Sequence, residues 1–244
     1  MENTAFIALS RQGALRRKMD IVANNIANMN TNGFKGERMM FVDHVMKSKG
    51  GHSIFGDKIA YVRDVATRID LSEGPLKATG NPLDISVRGD GFFVIQTEEG
   101  ERYTRNGRLE LDEGGQLVNE AGQPILSDAG APFFLAPEDT DITISRDGTV
   151  DTNNGAIGRL RVVRFENPQL LERLPGGLFQ SDAAPLDAED REVVQGMLEG
   201  SNVNGIREIT KMIDVHRSYD RIRKVAEDES ERIRKMMEAY RVNA

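Results

Sequence analysis

Met212-Ile213-Asp214-Val215-His216-Arg217-Ser218-Tyr219-Asp220-Arg221-Ile222 opens the stretch that decides the fold. Apolar residues recur at Met212, Val215, Tyr219, Ile222, Ala226, Ile233, Met236 and Tyr240, with Glu229 as the one polar member. The steps are 3, 4, 3, 4 without a slip. A period of 3.5 residues held this long predicts a coiled-coil seam rather than an ordinary globular helix. No glycine or proline interrupts residues 206–244, and Ser201-Asn202 just upstream are candidate caps.

Working outward, the other end of the chain carries a matching signal. Leu15, Met19, Val22 and Ile26 follow steps of 4, 3, 4 and share one helical face. Ile7, Ala14 and Ile21 form a second row beside it, and Arg16-Arg17-Lys18 lie mostly off it. Thr31-Asn32-Gly33 is a turn sequence, so this helix is expected to stop near Asn30 with Gly33 as its C-terminal cap. All 8 prolines fall between residues 74 and 185, which confines helix breakers to the middle.

The middle reads as β. Leu83, Ile85 and Val87 alternate with Asp84, Ser86 and Arg88, the pattern of a half-buried strand. Gly89-Asp90-Gly91 turns the chain into Phe92–Gln96, and Asn106-Gly107 is a short hairpin signal before Arg108–Asp112. Further short strands follow at Ile142–Ile144 and Leu160–Phe165. The expected class is α+β: long terminal helices paired in coiled-coil fashion, with a central all-β domain built as a sandwich or open barrel. The expected boundaries are 1–35 for the N-terminal helix, 36–80 for an extended connector, 81–190 for the β domain and 191–244 for the C-terminal helix.

Composition removes several classes of function. A formal net charge of -7 argues against a nucleic-acid partner, which needs a basic face. With no cysteine there is no disulfide, thiol nucleophile or thiolate metal site. Apolar runs such as Phe92-Phe93-Val94-Ile95 are far short of the ~20 residues of a membrane helix, so no direct membrane insertion is expected. Met1-Glu2-Asn3-Thr4 has no basic stretch or apolar run, and a cleaved secretory signal is not expected.

Candidate chemistry is thin. Gly89-Asp90-Gly91 lacks the third glycine and the following helix of a nucleotide fingerprint, and reads as a turn. Asp147, Thr149, Asp151 and Asn153 alternate like calcium-loop ligands, but Gly158 stands where a bidentate glutamate belongs. His44, His52 and His216 have no metal spacing, and His216 beside Val215 reads as a packed histidine. No carboxylate pair suits acid/base work. No enzyme activity, cofactor or metal is expected. Arg16-Arg17-Lys18 and the acidic Glu227-Asp228-Glu229 with Glu231 read as two solvated faces, or as charge partners for one another.

The terminal stripes themselves suggest assembly. An isolated amphipathic helix is marginal in water, and four large side chains in the N-terminal stripe are each worth ~1.5–3 kcal/mol once buried. The stripes can pair as one helical hairpin and then pack on neighbouring subunits. The alternative is a monomer whose helices fold onto the β domain, which the strict heptad period disfavours.

Ala23-Asn24-Asn25-Ile26-Ala27-Asn28 followed by Thr31-Asn32-Gly33-Phe34-Lys35 closely resembles the N-terminal signature of the bacterial flagellar rod and hook proteins. Further matches, in family order, are Gly80-Asn81-Pro82-Leu83-Asp84-Ile85 with Gly89-Asp90-Gly91-Phe92-Phe93, then Tyr103-Thr104-Arg105-Asn106-Gly107, then Gly200-Ser201-Asn202-Val203-Asn204 with Met212-Ile213 and Arg217-Ser218-Tyr219. Residues 124–185 match only loosely.

The resemblance implies a subunit of the periplasmic rod, most like its proximal members, with a distal rod protein or a cell-wall-binding β domain on helices as alternatives. It implies a helical tube lined by terminal helices and transmitting torque. The implied partners are copies of itself, neighbouring proximal and distal rod proteins, and the flagellar type III export apparatus that delivers it without a cleaved signal. By this resemblance Asn24, Asn25, Asn28, Gly33 and Phe34 shape the end of the N-terminal helix and join the two stripes in the assembly interface. The charged tail, with Glu231-Arg232 and Arg234-Lys235, departs from the family pattern.

Overall fold

The computed structural model describes residues 2–47, 58–188 and 191–242. The chain divides into two compact units. One comprises Met1–Ala27, Glu37–Arg68 and Asn204–Ala244, the other Asn28–Gly36 and Ile69–Val203. The chain therefore crosses between units at 27/28, 36/37, 68/69 and 203/204.

The first unit is built on helices α1 (Glu2–Ala27) and α2 (Gly205–Val242). At 1.5 Å per residue they are about 39 and about 57 Å long. They pack antiparallel: Gln12 Nε2 donates to Tyr219 Oη at 3.0 Å, and Asn25 Nδ2 meets Glu208 Oε2 at 3.5 Å. Val22, Ala14 and Val215 are buried along the pairing face. Leu15, Met19, Ile26, Met212, Tyr219, Ile222, Ala226 and Ile233 are half-buried, and Met236 is exposed. The side chain of Tyr240 lies outside the described residues. The same period that sets the stripe thus turns it toward the other helix.

Strands β1 (Glu37–Lys47) and β2 (Lys58–Ile69) hydrogen-bond as a two-stranded sheet. Both strands fall in the segment 36–80 expected as an extended connector, and residues 48–57 of it lie outside the described residues. α2 carries ion pairs one turn apart, Arg223–Glu227, Glu231–Lys235 and Arg234–Glu238 on its exposed side and Glu229–Arg232 from the seam position outward. Each such pair supports a helix by about 0.2–0.5 kcal/mol. Glu227, Glu229 and Glu231 thus have in-helix partners. His216 does not pack in the helix pair: it is exposed, 3.8 Å from Asp220 on the next turn.

The second unit is β throughout. In chain order its strands are β3 (Leu76–Ala78), β4 (Ile85–Arg88), β5 (Phe92–Thr97), β6 (Gly100–Thr104), β7 (Leu109–Leu111), β8 (Leu117–Asn119) and β9 (Thr143–Ile144). There follow β10 (Thr149–Thr152), β11 (Gly155–Arg159), β12 (Val162–Arg164), β13 (Glu172–Leu174), β14 (Leu178–Gln180), β15 (Leu186–Asp187), β16 (Glu192–Gln195) and β17 (Met197–Glu199). The main sheet runs β13-β14-β6-β5-β12-β15, with β11-β10-β9, β16-β4, β17-β3 and β7-β8 as smaller sheets. No barrel closes among the described residues.

β5 explains the apolar run Phe92-Phe93-Val94-Ile95. Phe93 and Ile95 enter one hydrophobic cluster with Ile85, Leu117 and Val162; Phe92 and Val94 enter a second with Tyr103, Val163 and Phe179. A strand buried on both faces needs apolar residues at every position. Phe92 meets Phe165 and Phe179 edge-on at 5.9 and 5.6 Å.

Two local expectations are corrected. Asn106-Gly107 does not close a hairpin, because β6 pairs with β5 and β14 while β7 pairs with β8. Gly107 is required for closeness instead: a Cβ there would stand 1.9 Å from the carbonyl oxygen of Ile85. Nor is β4 half-buried. Asp84 and Ser86 are as enclosed as Ile85 and Val87, so their alternation does not mark a solvent face.

Candidate functional site

α1 ends at Ala27, and Thr31 N bonds to the Asn28 carbonyl as the chain turns. Gly33, six residues past that end, is therefore not the helix cap. It has φ +66, and a Cβ on it would lie 2.4 Å from the carbonyl carbon of Arg105. Its N–H donates to the Glu199 carbonyl at 2.7 Å. Phe34 is buried beneath the Arg173 guanidinium, 4.3 Å from its ring centre, and Arg173 also donates to the Lys35 carbonyl.

Lys35 then enters the β unit fully buried. Its Nζ donates to Glu199 Oε1 at 2.6 Å and to the Ser72 carbonyl at 2.9 Å. The same carboxylate oxygen accepts the Gly74 N–H at 2.8 Å. The other oxygen, Oε2, lies 3.5 Å from the Arg105 guanidinium, which donates to the carbonyls of Val87 and Gly89 and stacks 4.9 Å above Phe92. Side-chain exposure is 0 % for Lys35 and Arg105 and 2 % for Glu199, so no substrate reaches them. Desolvation pushes Lys35 below the ordinary lysine range, and the Glu199 carboxylate partly restores it. Burial likewise lowers Arg105, countered by Glu199 and then by Asp90 and Glu73. Arg105 Nε, Glu199 Oε2 and Ser86 Oγ are buried without a hydrogen-bond partner.

Asn202 completes the arrangement. Its Oδ1 accepts the Gly36 N–H at 2.7 Å, while Nδ2 donates to the carbonyls of Asp70 and Ser72 at 2.8 and 3.0 Å. Three segments far apart in sequence, 33–36, 70–74 and 199–202, are stitched together by side chains acting as backbone partners. They are the stretches by which the chain enters or leaves this unit.

Asn25 does similar work inside the helical unit. Its Oδ1 accepts the Glu37 N–H at 2.9 Å and its Nδ2 donates to the Glu37 carbonyl at 2.8 Å, so it pairs with the re-entering chain as a strand would. Asn24 is exposed and Asn28 half-buried. Ser201 and Asn202 do not cap α2: Asn204 does, its Oδ1 accepting the Arg207 N–H at 3.0 Å. Asp147 Oδ1 and Oδ2 are bonded to the backbone and hydroxyl of Thr149, a local turn.

Sequence reasoning singled out Lys35, Arg105 and Asn202 as parts of motifs and missed that they converge. Glu199, one residue before the Gly200–Asn204 motif, went unnoticed. The one available signal was that charged residues sat inside three separate motifs, and a motif charge that is not on the surface needs a partner.

Three family profiles match the chain: Flagella basal body rod protein over residues 7–35, Flagellar hook protein FlgE/F/G D1 domain over 86–152, and Flagellar basal body rod FlgEFG protein C-terminal over 194–241. The flagellar basal-body rod protein FlgF of Caulobacter vibrioides is 36% identical over 241 residues, 98% of each chain. That of Rhizobium meliloti is 32% identical, again over 98% of each. The flagellar basal-body rod protein FlgG of Buchnera aphidicola subsp. Schizaphis graminum is 34% identical over 83% of this chain and 86% of its own. With the motif-bearing segments joined in one buried staple and relatives aligned along nearly the whole length, the chain belongs to the flagellar basal-body rod protein family.

Proposed function

We propose that this chain is a non-catalytic structural subunit of the proximal flagellar rod, polymerising through α1 and α2 into a helical tube that transmits torque. The observation that carries this reading is the antiparallel helix pair with Val22 and Val215 buried between its members. A prefolded hairpin gives each subunit a stiff element to interlock with its neighbours, and the heptad period supports coiled-coil packing in it. The β unit has its own two hydrophobic clusters, which support a sandwich-like reading of it. The Lys35–Glu199–Arg105 staple and Asn202 hold together the segments through which force on the helices reaches that unit.

The partners are other copies of the chain, neighbouring proximal and distal rod proteins, and the export apparatus that delivers it to the periplasm without a cleaved signal. The likeness to FlgG proteins supports a distal-rod reading, at 34% and 29% identity against the 36% of the Caulobacter vibrioides FlgF protein.

The test is to purify basal bodies from cells whose own gene is replaced by a tagged copy. The chain is expected in the rod at its proximal end. A motile strain whose basal bodies lack the tag overturns the proposal, as does clear cell-wall hydrolysis by the purified chain.

A further inference from the structure

Four asparagines of the chain precede a glycine: Asn32-Gly33, Asn106-Gly107, Asn154-Gly155 and Asn204-Gly205. In such a pair the glycine nitrogen can reach the side-chain carbonyl carbon of the asparagine and close a five-membered ring, because the glycine has no side chain to obstruct it. Closure requires the asparagine side chain and the following peptide to rotate toward each other. A pair held by its surroundings must first open locally, so the fold decides which pair reacts.

Three of the pairs are held. The Gly33 nitrogen donates to the Glu199 carbonyl at 2.7 Å, and Gly33 is buried against the Arg105 backbone. Gly107 is buried too, its carbonyl accepting the Ile85 N–H at 2.9 Å, while Asn106 Oδ1 accepts the Arg108 N–H at 3.2 Å. Asn204 has its Oδ1 on Arg207, and its carbonyl accepts the Glu208 N–H at 3.0 Å, which fixes the Asn204-Gly205 peptide at the start of α2. Asn154-Gly155 is different. Asn153 and Asn154 form the two-residue turn from β10 to β11, closed by Thr152 opposite Gly155. Asn153, Asn154 and Gly155 are exposed, and a Cβ on Gly155 would meet nothing within 4 Å. Among the described residues the Asn154 side chain has one hydrogen bond, from Nδ2 to Asp139 Oδ1 at 2.8 Å. That bond holds the amide nitrogen and leaves the carbonyl carbon open to attack.

We propose that Asn154 is the site at which this chain converts spontaneously from asparagine to aspartate and isoaspartate. The Gly155 nitrogen gives its proton to hydroxide and bonds to the side-chain carbonyl carbon of Asn154. The carbon–nitrogen bond of the side-chain amide breaks, and its nitrogen leaves as ammonia. Water then adds to either carbonyl of the ring and opens it, with no change of oxidation state. One opening gives aspartate; the other routes the main chain through the side-chain carbon and lengthens the turn. Both products set a carboxylate where Nδ2 had donated to Asp139, so like charges replace the hydrogen bond that tied the turn down. This chemistry belongs to the free chain and does not rest on the rod reading.

The test is to hold the purified chain in warm, mildly alkaline buffer and compare its four Asn-Gly peptides with those of a fresh sample by mass spectrometry. In the folded chain Asn154 is expected to convert at least about tenfold faster than Asn32, Asn106 or Asn204, whereas in concentrated urea the four rates should fall within about threefold of one another. Asn154→Gln, whose longer side chain would have to close a six-membered ring, is expected to remove the early conversion. Another of the four converting first, or equal rates in the folded chain, overturns the proposal. So does a lead for Asn154 that is as large in urea, or early conversion at residue 154 that persists in Asn154→Gln.

Discussion

Glu199 Oε1 stands 2.6 Å from Lys35 Nζ although 164 residues separate them, and neither side chain reaches solvent. A buried pair of this kind does not stabilise much over well-packed apolar residues, but breaking one partner strands the other charge. Here two cations depend on one carboxylate. Glu199→Ala is expected to destabilise the β unit by about 3–5 kcal/mol, measured by urea titration of the purified chain. Glu199→Gln, which keeps the volume, is expected to lose most of the same amount because the charge is what Lys35 and Arg105 require.

Gly33 and Gly80 both have positive φ, +66 and +75, but differ in surroundings. Around Gly80 a Cβ would meet nothing within 4 Å, whereas at Gly33 it would run into the Arg105 backbone. Gly80→Ala should therefore carry the conformational strain alone, about 1–2 kcal/mol. Gly33→Ala should exceed it by a further 1–3 kcal/mol, roughly the penalty for overpacking. Equal losses in the two variants would disprove the close approach.

Ile222 is half-buried on the α2 face that meets α1. Ile222→Asp is expected to reduce helical circular dichroism and to abolish incorporation into basal bodies. Amide exchange within β5 and β6 should be unchanged, since their clusters draw no residue from α2. Leu15→Asp is expected to act in the same way from the other helix. A working rod built from either variant would refute the role of this face.

Two turn carboxylates predict an acid limb. Asp139 ionises below the ordinary 3.8 because Asn154 and then the Ala136 N–H bond to it, and Asp147 does so through the Thr149 hydroxyl and N–H. A carboxyl more acidic in the folded than in the unfolded chain contributes stability in full above the unfolded value, and loses it as pH falls through the folded one. Stability is therefore expected to decline below about pH 3.8. Asp139→Asn/Asp147→Asn should flatten that decline in a series of melts from pH 5 downward, and an unchanged slope would remove these two groups from the account.

By itself the sequence determined the helices and the broad class. A 3.5-residue period over Met212–Met236 and the absence of glycine and proline act through neighbours one turn apart, so they are legible without any long-range information. The turn at Gly89-Asp90-Gly91 and the strand that follows it from Phe92 were legible for the same local reason, whereas the burial of that strand on both faces was not. Only the tertiary structure decided which segments meet. Gly33 looked like a helix cap because its positive φ is a local property, whereas its need to be glycine comes from Arg105, 72 residues away. Asn106-Gly107 looked like a hairpin because turn chemistry is local, whereas β6 found its partners in β5 and β14. Above all, Lys35, Arg105 and Glu199 stand in the sequence as three ordinary surface-type charges. Folding brings them out of water together, and burial is what makes each dependent on the others.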